Sequence, residues 1–125
     1  MHIFYDGKKE KNMCGIVGYI GSKEKTLDVL LNGLTNLEYR GYDSAGLAYF
    51  NEDELKIVKS VGRIQKLRDK VMKESALLGI GHTRWATHGE ANEKNSHPHH
   101  VGQITIVHNG IIENYEQLRK DLIQK

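Results

Sequence analysis

The alternation of apolar and polar positions along the chain predicts a domain of mixed helices and strands. Residues 16–20 form an apolar run, and glycines at 15, 18 and 21 would let another segment or a ligand approach it closely, which is typical of a buried strand. Leucines recur at helical spacing over residues 27–37. This spacing predicts an amphipathic helix with Ser22 as its N-cap and Glu24 in its first turn.

The remaining periodicity adds a hairpin, two more helices and two more strands. The hairpin joins residues 47–50 and 55–61 through a polar turn at 51–54, and short apolar runs at 77–81 and 104–107 predict further strands. The helices are predicted from Ile64, Leu67, Val71 and Met72, and from a start at Asn114 with Gln117 in capping-box position and Tyr115, Leu118 and Leu122 on one face. This order favours an α+β domain in which helices cover mainly antiparallel sheets.

Composition and charge narrow the function classes. The chain has 125 residues, 38% of them hydrophobic and 27% charged, which is ordinary for one globular domain. The net charge of +2 is spread along the sequence, so no basic stripe predicts nucleic-acid binding. No apolar run approaches the ~20 residues of a membrane-spanning helix. A single cysteine is consistent with a reducing cytoplasm, where we expect the protein to act.

Cys14 is the first candidate for chemistry. It follows Met13 directly and opens the glycine-spaced strand, so removal of an initiator methionine would leave a thiol and a free α-amine on one residue. These two groups ordinarily titrate close together, so the amine can accept the thiol proton near neutral pH. The alternative is a small buried hydrophobe within the first strand, which describes most free cysteines.

The densest polar chemistry lies between residues 81 and 100. The Arg84 guanidinium can bind a carboxylate through two N–H groups, and the Trp85 ring offers a flat apolar surface. Thr87 and His88 can form short-range hydrogen bonds, so the stretch as a whole suits a small zwitterion. Taken alone, Arg84 could equally form a surface ion pair. Six of the seven histidines lie between 82 and 108, so a metal site is an alternative, although their spacing matches no standard zinc pattern.

A second candidate for chemistry follows the strand at 104–107. Asn109 and Gly110 could present a side-chain amide donor and a backbone N–H to the same point, which is how an oxyanion hole is built. Asn-Gly is also a strong signal for the turn of a β-hairpin, and the residues themselves leave both interpretations open.

Four stretches in this order resemble the glutaminase domain of the glutamine–fructose-6-phosphate aminotransferase family, within the class II glutamine amidotransferases. The resemblance covers residues 13–125, and the stretches at 39–43 and 110–114 are similar to the glucosamine-forming branch rather than the purine-synthesis branch. The stretches are residues 14–18 (CGIVG), 38–46 (EYRGYDSAG), 82–89 (HTRWATHG) and 108–115 (HNGIIENY).

The resemblance implies a fold and an activity. The fold would be part of the N-terminal-nucleophile αββα sandwich, and the activity would be hydrolysis of glutamine to glutamate and ammonia, with no cofactor. Cys14 would be the nucleophile, its freed α-amine the base, and Asn109 and Gly110 the oxyanion hole. The residues implied around glutamine are Arg84, Trp85, Thr87, His88 and His97, and those supporting the nucleophile are Arg40 and Tyr42.

The resemblance also sets expectations for the chain's ends. Residues 1–13 are expected to be a leader outside the fold, and the polypeptide as written carries an amide rather than a free amine at Cys14. Residues 14–125 are expected to be the N-terminal part of the glutaminase domain, without the isomerase domain through which fructose-6-phosphate would be bound. Uncovered sheet faces would then favour self-association or a complementary chain. A module that only binds glutamine, without catalysis, is the alternative function.

Overall fold

The structure is a computed structural model, and it describes residues 13–85 and 89–125. Its elements are β1 Gly15–Ile20, α1 Thr26–Leu37, β2 Ser44–Asn51, β3 Glu54–Val61, α2 Ile64–Lys70, β4 Leu78–Arg84, β5 His99–Val101, β6 Ile104–Ile106 and α3 Tyr115–Ile123, with a 3-10 turn at Glu38–Arg40. The main sheet has four antiparallel strands in the order β1-β4-β2-β3, and helices α1 and α2 cover one face. A two-stranded antiparallel hairpin, β5-β6, faces the other side of this sheet, and α3 follows it. The predicted α+β class is confirmed.

The core lies between α1 and the main sheet. The leucine stripe of α1 packs against alternate residues of β1 and β2, and α2 adds Ile64 and Leu67 from the side. Gly79 and Gly81 on β4 leave room for this stripe, because an added Cβ would lie 2.7 Å from Leu30 Cδ1 at Gly79 and 3.1 Å from Leu34 Cδ1 at Gly81. The predicted amphipathic helix over residues 27–37 is therefore confirmed, with its apolar face in the core.

The predicted Ser22 cap is wrong, whereas Asn114 is the N-cap of α3 as predicted but without the capping-box hydrogen bond expected from Gln117. The N-cap of α1 is Lys25, and the Ser22 hydroxyl instead donates to Glu24 Oε2 at 2.8 Å, ahead of the helix. The Ser22 carbonyl accepts the backbone N–H of Thr26, so the turn before the helix closes through the main chain. At α3, Gln117 donates its side-chain amide to Asp121 rather than reaching back to the N-cap. Because the Gln117 amide bonds to Asp121 one turn later in the helix, it does not reach the N-cap residue of α3.

Several elements also differ from the prediction, including β2, which begins at Ser44, three residues earlier than predicted. Helix α2 ends at Lys70, and Val71 continues in an extended conformation (φ −77°, ψ 122°) so that it packs against the core without belonging to the helix. Strand β4 runs three residues further than predicted, through His82 and Thr83 to Arg84. Strand β5 was missed because its residues, His99–Val101, show no apolar alternation.

Glu38 fixes the start of α2 from a distant part of the chain. Its carboxylate accepts the Ile64 backbone N–H at 2.8 Å and the Arg63 guanidinium at 3.0 Å. A carboxylate at a helix N-terminus satisfies an orphan donor and matches the positive end of the helix dipole. This contact ties the 3-10 turn that carries Arg40 to the second helix.

Large apolar side chains remain exposed on the second sheet face, the hairpin and α3. Ile20 is 74% exposed, Val101 80% and Leu122 69%. We therefore expect the polypeptide to associate with itself as concentration rises, since burial of apolar area contributes roughly 25 cal/mol per Å². Sedimentation equilibrium across a hundredfold range of concentration measures this. A monodisperse monomer of residues 14–125 that unfolds cooperatively would contradict it.

Candidate active site

Cys14 lies at the mouth of an open cleft rather than in the core. It precedes β1 directly, and the pairing of Gly15 with Thr83 places it opposite the end of β4. The Trp85 backbone N–H donates to Cys14 Sγ at 3.4 Å, and Trp85 O lies 3.8 Å from the same sulfur. The half-buried thiol is absent from the apolar core cluster.

Asn109 is brought to Cys14 across 95 positions of sequence. Its side-chain Nδ2 donates to the Cys14 carbonyl at 3.1 Å. Gly110 follows with φ +128°, a backbone conformation that residues with a side chain rarely adopt. The two residues lie between β6 and α3 and do not join paired strands, so the hairpin-turn alternative for Asn-Gly is wrong.

Arg84 lies at the end of β4, and only 8% of its surface is exposed. Its Nη1 donates to Glu90 O at 3.0 Å and its Nη2 to Gly89 O at 3.4 Å. The guanidinium therefore holds the far side of the loop that follows Trp85. Both acceptors are main-chain carbonyls, and the low exposure contradicts the alternative of a surface ion pair. Thr87 and His88 fall outside the described residues.

The cleft has a volume of about 830 Å³, large enough for an amino acid. Cys14 and Arg84 both line it, together with the predicted Trp85, His97 and Gly110. The apolar lining residues Ile106, Val107, Ile111 and Ile112 were not predicted as site residues. The full lining is Cys14, Arg84, Trp85, Gly89, Asn95, His97, His99, Ile106, Val107, His108, Gly110, Ile111, Ile112 and Tyr115.

The two residues expected to support the nucleophile have different surroundings. Arg40 O accepts the Met13 backbone N–H at 2.9 Å, and an Arg40 guanidinium nitrogen lies 3.5 Å from Met13 Sδ. Arg40 therefore contacts the residue bonded to the Cys14 nitrogen. Tyr42 contacts Arg63 instead, because the Arg63 guanidinium carbon lies 4.4 Å from the centroid of the Tyr42 ring.

Three histidine rings lie in contact at the cleft, where His82 stacks on His97 and His99 is tilted against it. The His97 ring lies 4.2 Å from the His82 ring and 4.4 Å from the His99 ring, measured between centroids. His82 occupies the same face of β4 as Arg84, two positions along, so strand periodicity could have identified it as a site residue. Within residues 13–85 and 89–125, no three His, Cys, Asp or Glu side chains are arranged to hold a metal ion.

Burial controls the protonation of His82 and His97. It lowers the pKa of His82 to about 4 and that of His97 to about 3, and the neighbouring His99 and Arg84 act in the same direction. Burial also lowers the pKa of His99, with Lys59 and Arg84 adding to the effect. The stacked rings are therefore neutral near pH 7.

This neutrality predicts that acid destabilises the fold in a defined window. A His82 pKa depressed below the unfolded value of about 6.5 means that its full contribution is present above that pH and is lost as pH falls toward 4. The slope is limited to about 1.4 kcal/mol per pH unit for one proton. Urea unfolding at pH 7.5, 6 and 5 measures it.

The His82→Gln variant should lose less unfolding free energy per pH unit than the parent. The His100→Gln variant, at an exposed histidine, is the matched control and should keep the slope of the parent. Equal slopes in the parent and in His82→Gln would contradict the assignment of acid sensitivity to the buried ring.

Gly46 predicts a second effect, because the main chain of His97 lies directly against it. A Cβ added at Gly46 would come 2.1 Å from the His97 carbonyl oxygen, a distance that no packing adjustment of side chains relieves. We expect Gly46→Ala to displace His97 and to cost about 1–3 kcal/mol or more of unfolding free energy. Urea denaturation measures the loss.

Gly18 supplies the matched control for this substitution. It lies in a strand of the same sheet, and an added Cβ would meet only Ile80 Cγ2, at 4.0 Å. Gly18→Ala should therefore change stability little. Equal losses in the two variants would show that any strand glycine is sensitive and that the close approach is not the cause.

No protein-family model matches the chain. Individual proteins of one name do match it in sequence. It is 57% identical over 117 residues to the glutamine–fructose-6-phosphate aminotransferase [isomerizing] of Caldanaerobacter subterraneus subsp. tengcongensis, covering 90% of this chain and 19% of the relative. The enzyme of the same name from Halalkalibacterium halodurans is 56% identical over 115 residues, with the same two coverages. The chain thus spans about a fifth of the length of these relatives.

Among solved structures, the fold is similar to that of glutamine phosphoribosylpyrophosphate amidotransferase from B. subtilis. The TM-score is 0.72 at 26% identity, over 87% of this chain and 24% of that chain. In both fold and sequence the chain is therefore similar to N-terminal-nucleophile glutamine amidotransferases. Its homologues are glutamine–fructose-6-phosphate aminotransferases, and it matches their N-terminal glutaminase domain.

In the described part of the chain, no helix combines the length and apolar character needed to cross a membrane.

Proposed function

We propose that this chain hydrolyses glutamine to glutamate and ammonia through a thioester on Cys14. The observation that carries the proposal is the convergence of three chemically distinct groups in and beside one cleft. The Cys14 thiol and the Arg84 guanidinium line the cleft together with Gly110, and Asn109, which precedes Gly110, donates its side-chain amide to the Cys14 carbonyl at 3.1 Å. Each alone has a commonplace explanation, whereas their meeting does not.

The proposed roles follow from the chemistry of glutamine. Arg84 would bind the α-carboxylate, since a guanidinium matches a carboxylate in charge and geometry. Cys14 Sγ would then attack the side-chain carboxamide carbon, and the resulting oxyanion would be stabilised by Asn109 Nδ2 and the Gly110 N–H. Trp85 and His97 would form walls around the substrate, with Thr87 and His88 proposed in the loop beside them.

The steps balance without a cofactor. Sulfur forms a bond to the carboxamide carbon, the tetrahedral intermediate collapses, and the nitrogen leaves with a proton as ammonia. Water then attacks the thioester carbonyl, glutamate is released and the thiol is regenerated. The base for both steps would be the α-amine of Cys14, which exists only when Cys14 is the first residue. Arg40 and Tyr42 would support this end of the chain from behind the nucleophile.

The destination of the ammonia is proposed from the relatives. They are named for amination of fructose-6-phosphate, and we propose that ammonia formed here is passed to that sugar phosphate, giving glucosamine-6-phosphate. The sugar phosphate would be bound by a part of the relatives to which this chain does not correspond, in the same polypeptide or a complementary one. The reaction would take place in the cytoplasm, where reducing conditions keep the single thiol free.

A thiol-directed glutamine analogue, a diazoketone with the glutamine backbone, tests the proposal. With the polypeptide that begins at Cys14, we expect one adduct per chain on that residue, formed faster than with iodoacetamide and blocked by millimolar glutamine, since only an activated thiol in a formed pocket discriminates in this way. Intact mass and peptide mapping measure it. Reaction at the iodoacetamide rate, without protection by glutamine, would contradict the proposal.

A glutamine-binding module without catalysis is the second candidate, and one observation favours it. In the 125-residue polypeptide the Cys14 nitrogen is bonded to Met13, which is itself held by Arg40. Calorimetry with glutamine, combined with an ammonia assay on the same sample, distinguishes the two. Heat of binding without release of ammonia would support the binding module.

A further inference from the structure

The main chain of His108 is held on both sides by histidine rings. The His82 Nε2–H donates to His108 O at 3.1 Å, and the His108 backbone N–H donates to His97 Nδ1 at 3.3 Å. The two rings are themselves stacked, with centroids 4.2 Å apart. His108 immediately precedes Asn109 and Gly110, the proposed oxyanion donors.

From this geometry we propose that His82 and His97 are positioning residues that jointly set the place of Asn109 and Gly110 relative to Cys14. The proposal rests on the glutaminase function proposed above, in which His97 also forms part of the cleft wall. The role proposed here is a separate one, which both rings exert through hydrogen bonds to the His108 peptide groups.

The segment needs such support because regular structure does not hold it. Strand β6 ends at Ile106 and α3 begins at Tyr115, so residues 107–114 have neither a strand ladder nor a helix to fix them. An oxyanion hole stabilises charge only if its donors stand in place before the reaction. A displacement of about 1 Å can cost about 10²-fold in rate.

The two rings are anchored in the rigid part of the fold. His82 is fully buried on β4, and the main chain of His97 packs directly on Gly46 of β2. The histidine pair therefore connects the central strands of the main sheet to the segment carrying Asn109. The Asn109 amide then reaches the Cys14 carbonyl, at the start of the outer strand β1. The same sheet therefore positions both the thiol and the proposed oxyanion donors.

The hydrogen bonds require particular tautomers. His82 must carry its proton on Nε2, which leaves a bare Nδ1, and that buried atom has no hydrogen-bond partner among the described residues. His97 must have a bare Nδ1 to accept the His108 N–H, and therefore carries its proton on Nε2. Both rings must be neutral, as their lowered pKa values require, and the charged or titratable groups facing them are Arg84, His99 and His108.

Matched substitutions separate the two hydrogen bonds from the bulk of the rings. The side-chain oxygen of asparagine stands close to the place of histidine Nδ1, so His97→Asn keeps an acceptor and His97→Leu removes it. The side-chain nitrogen of glutamine stands close to the place of histidine Nε2, so His82→Gln keeps a donor and His82→Leu removes it. Each pair changes packing similarly and differs in the contact to His108.

Turnover is measured with residues 1–13 removed. We expect the two leucine variants to lower kcat by about 10²-fold with KM little changed, because Arg84 would still bind the carboxylate. His97→Asn and His82→Gln should recover most of kcat. Leucine variants that fold and retain the parent kcat, or that raise KM alone, would overturn the proposal.

A second measurement needs no activity and uses the full 125-residue chain. Nitrogen-15 spectra of labelled histidine at pH 7 should show His82 protonated at Nε2 only and His97 at Nε2 only. Hydrogen exchange of the His108 amide should be slow in the parent and in His97→Asn, and at least tenfold faster in His97→Leu. Protonation of His97 Nδ1, or equal exchange in all three chains, would overturn the proposal.

The two measurements keep this proposal distinct from the proposed function. If the unsubstituted chain is not labelled by the glutamine analogue, the glutaminase assignment fails on its own terms. If it is labelled and active but the tautomers or the kcat ratios are wrong, the glutaminase function stands and the positioning role is overturned.

Discussion

Replacing Cys14 with alanine is expected to abolish glutamine hydrolysis. Loss of a nucleophile typically lowers kcat by about 10⁶-fold, and no second thiol exists in the chain to take its place. The side chain lies outside the apolar core, so the fold should persist. The measurement is ammonia release under single-turnover conditions, with the parent and the variant at equal concentration.

Serine at the same position gives a sharper comparison. Cys14→Ser keeps the size and hydrogen-bonding shape of the side chain while removing the more easily ionised thiol. We expect it to bind glutamine with little change in affinity and to be as inactive as the alanine variant within about tenfold. Urea denaturation curves that superimpose on the parent's show that the loss is chemical. A Cys14→Ala chain with more than a hundredth of parental kcat would contradict the assignment of the nucleophile.

Removal of residues 1–13 is expected to have the second largest effect. A polypeptide that begins at Cys14 has a free α-amine, and one that begins at Met1 has an amide that cannot accept a proton. Loss of a general base lowers rates by about 10²- to 10⁴-fold. Met13 also packs between Arg40 and the nucleophile, so its removal opens the space in which the amine would act. The ratio of kcat values for the two polypeptides measures the effect.

A chain that begins with one alanine before Cys14 is the control for steric crowding. It carries an amide at Cys14 but lacks the leader, so it isolates the chemical role of the amine. We expect its kcat to be as low as that of the full polypeptide, and we expect only the chain beginning at Cys14 to gain activity as pH rises through about 8, where α-amines lose their proton. Equal activity of all three chains would assign the base to another group.

The separate elements of the fold were largely predictable because each is encoded by local periodicity. The leucine stripe of α1, the hairpin of β2 and β3 and the strand at β6 all follow from spacing alone. The errors arose where a hydrogen-bond partner outside the periodic pattern decided the local structure. The Ser22 and Gln117 side chains bond to Glu24 and Asp121 instead of capping helices, and β5 forms because β6 supplies its hydrogen bonds rather than because its own residues alternate.

The candidate site was predictable only in part. Glycine spacing around Cys14 and the strand before Asn109 identified the two sides of the cleft, and the family resemblance joined them. His82 was missed although it stands two positions from Arg84 on one strand, because a single buried histidine has no distinctive pattern. Its part in the site depends on His97 and His108, which reach it only in the folded chain.

The sequence by itself determined the α+β class, the helical face that enters the core and the identity of the groups available for chemistry. Periodicity and side-chain chemistry are properties of short segments, so they can be recognised in the sequence without knowing which residues are in contact. Tertiary structure alone decided that Cys14 and Arg84 share one cleft, that Asn109 reaches the Cys14 carbonyl, and that two neutral histidine rings hold the main chain before Asn109. Distances between groups separated by 70 to 95 positions depend on the pairing of strands across the sheet, which is a property of the whole chain.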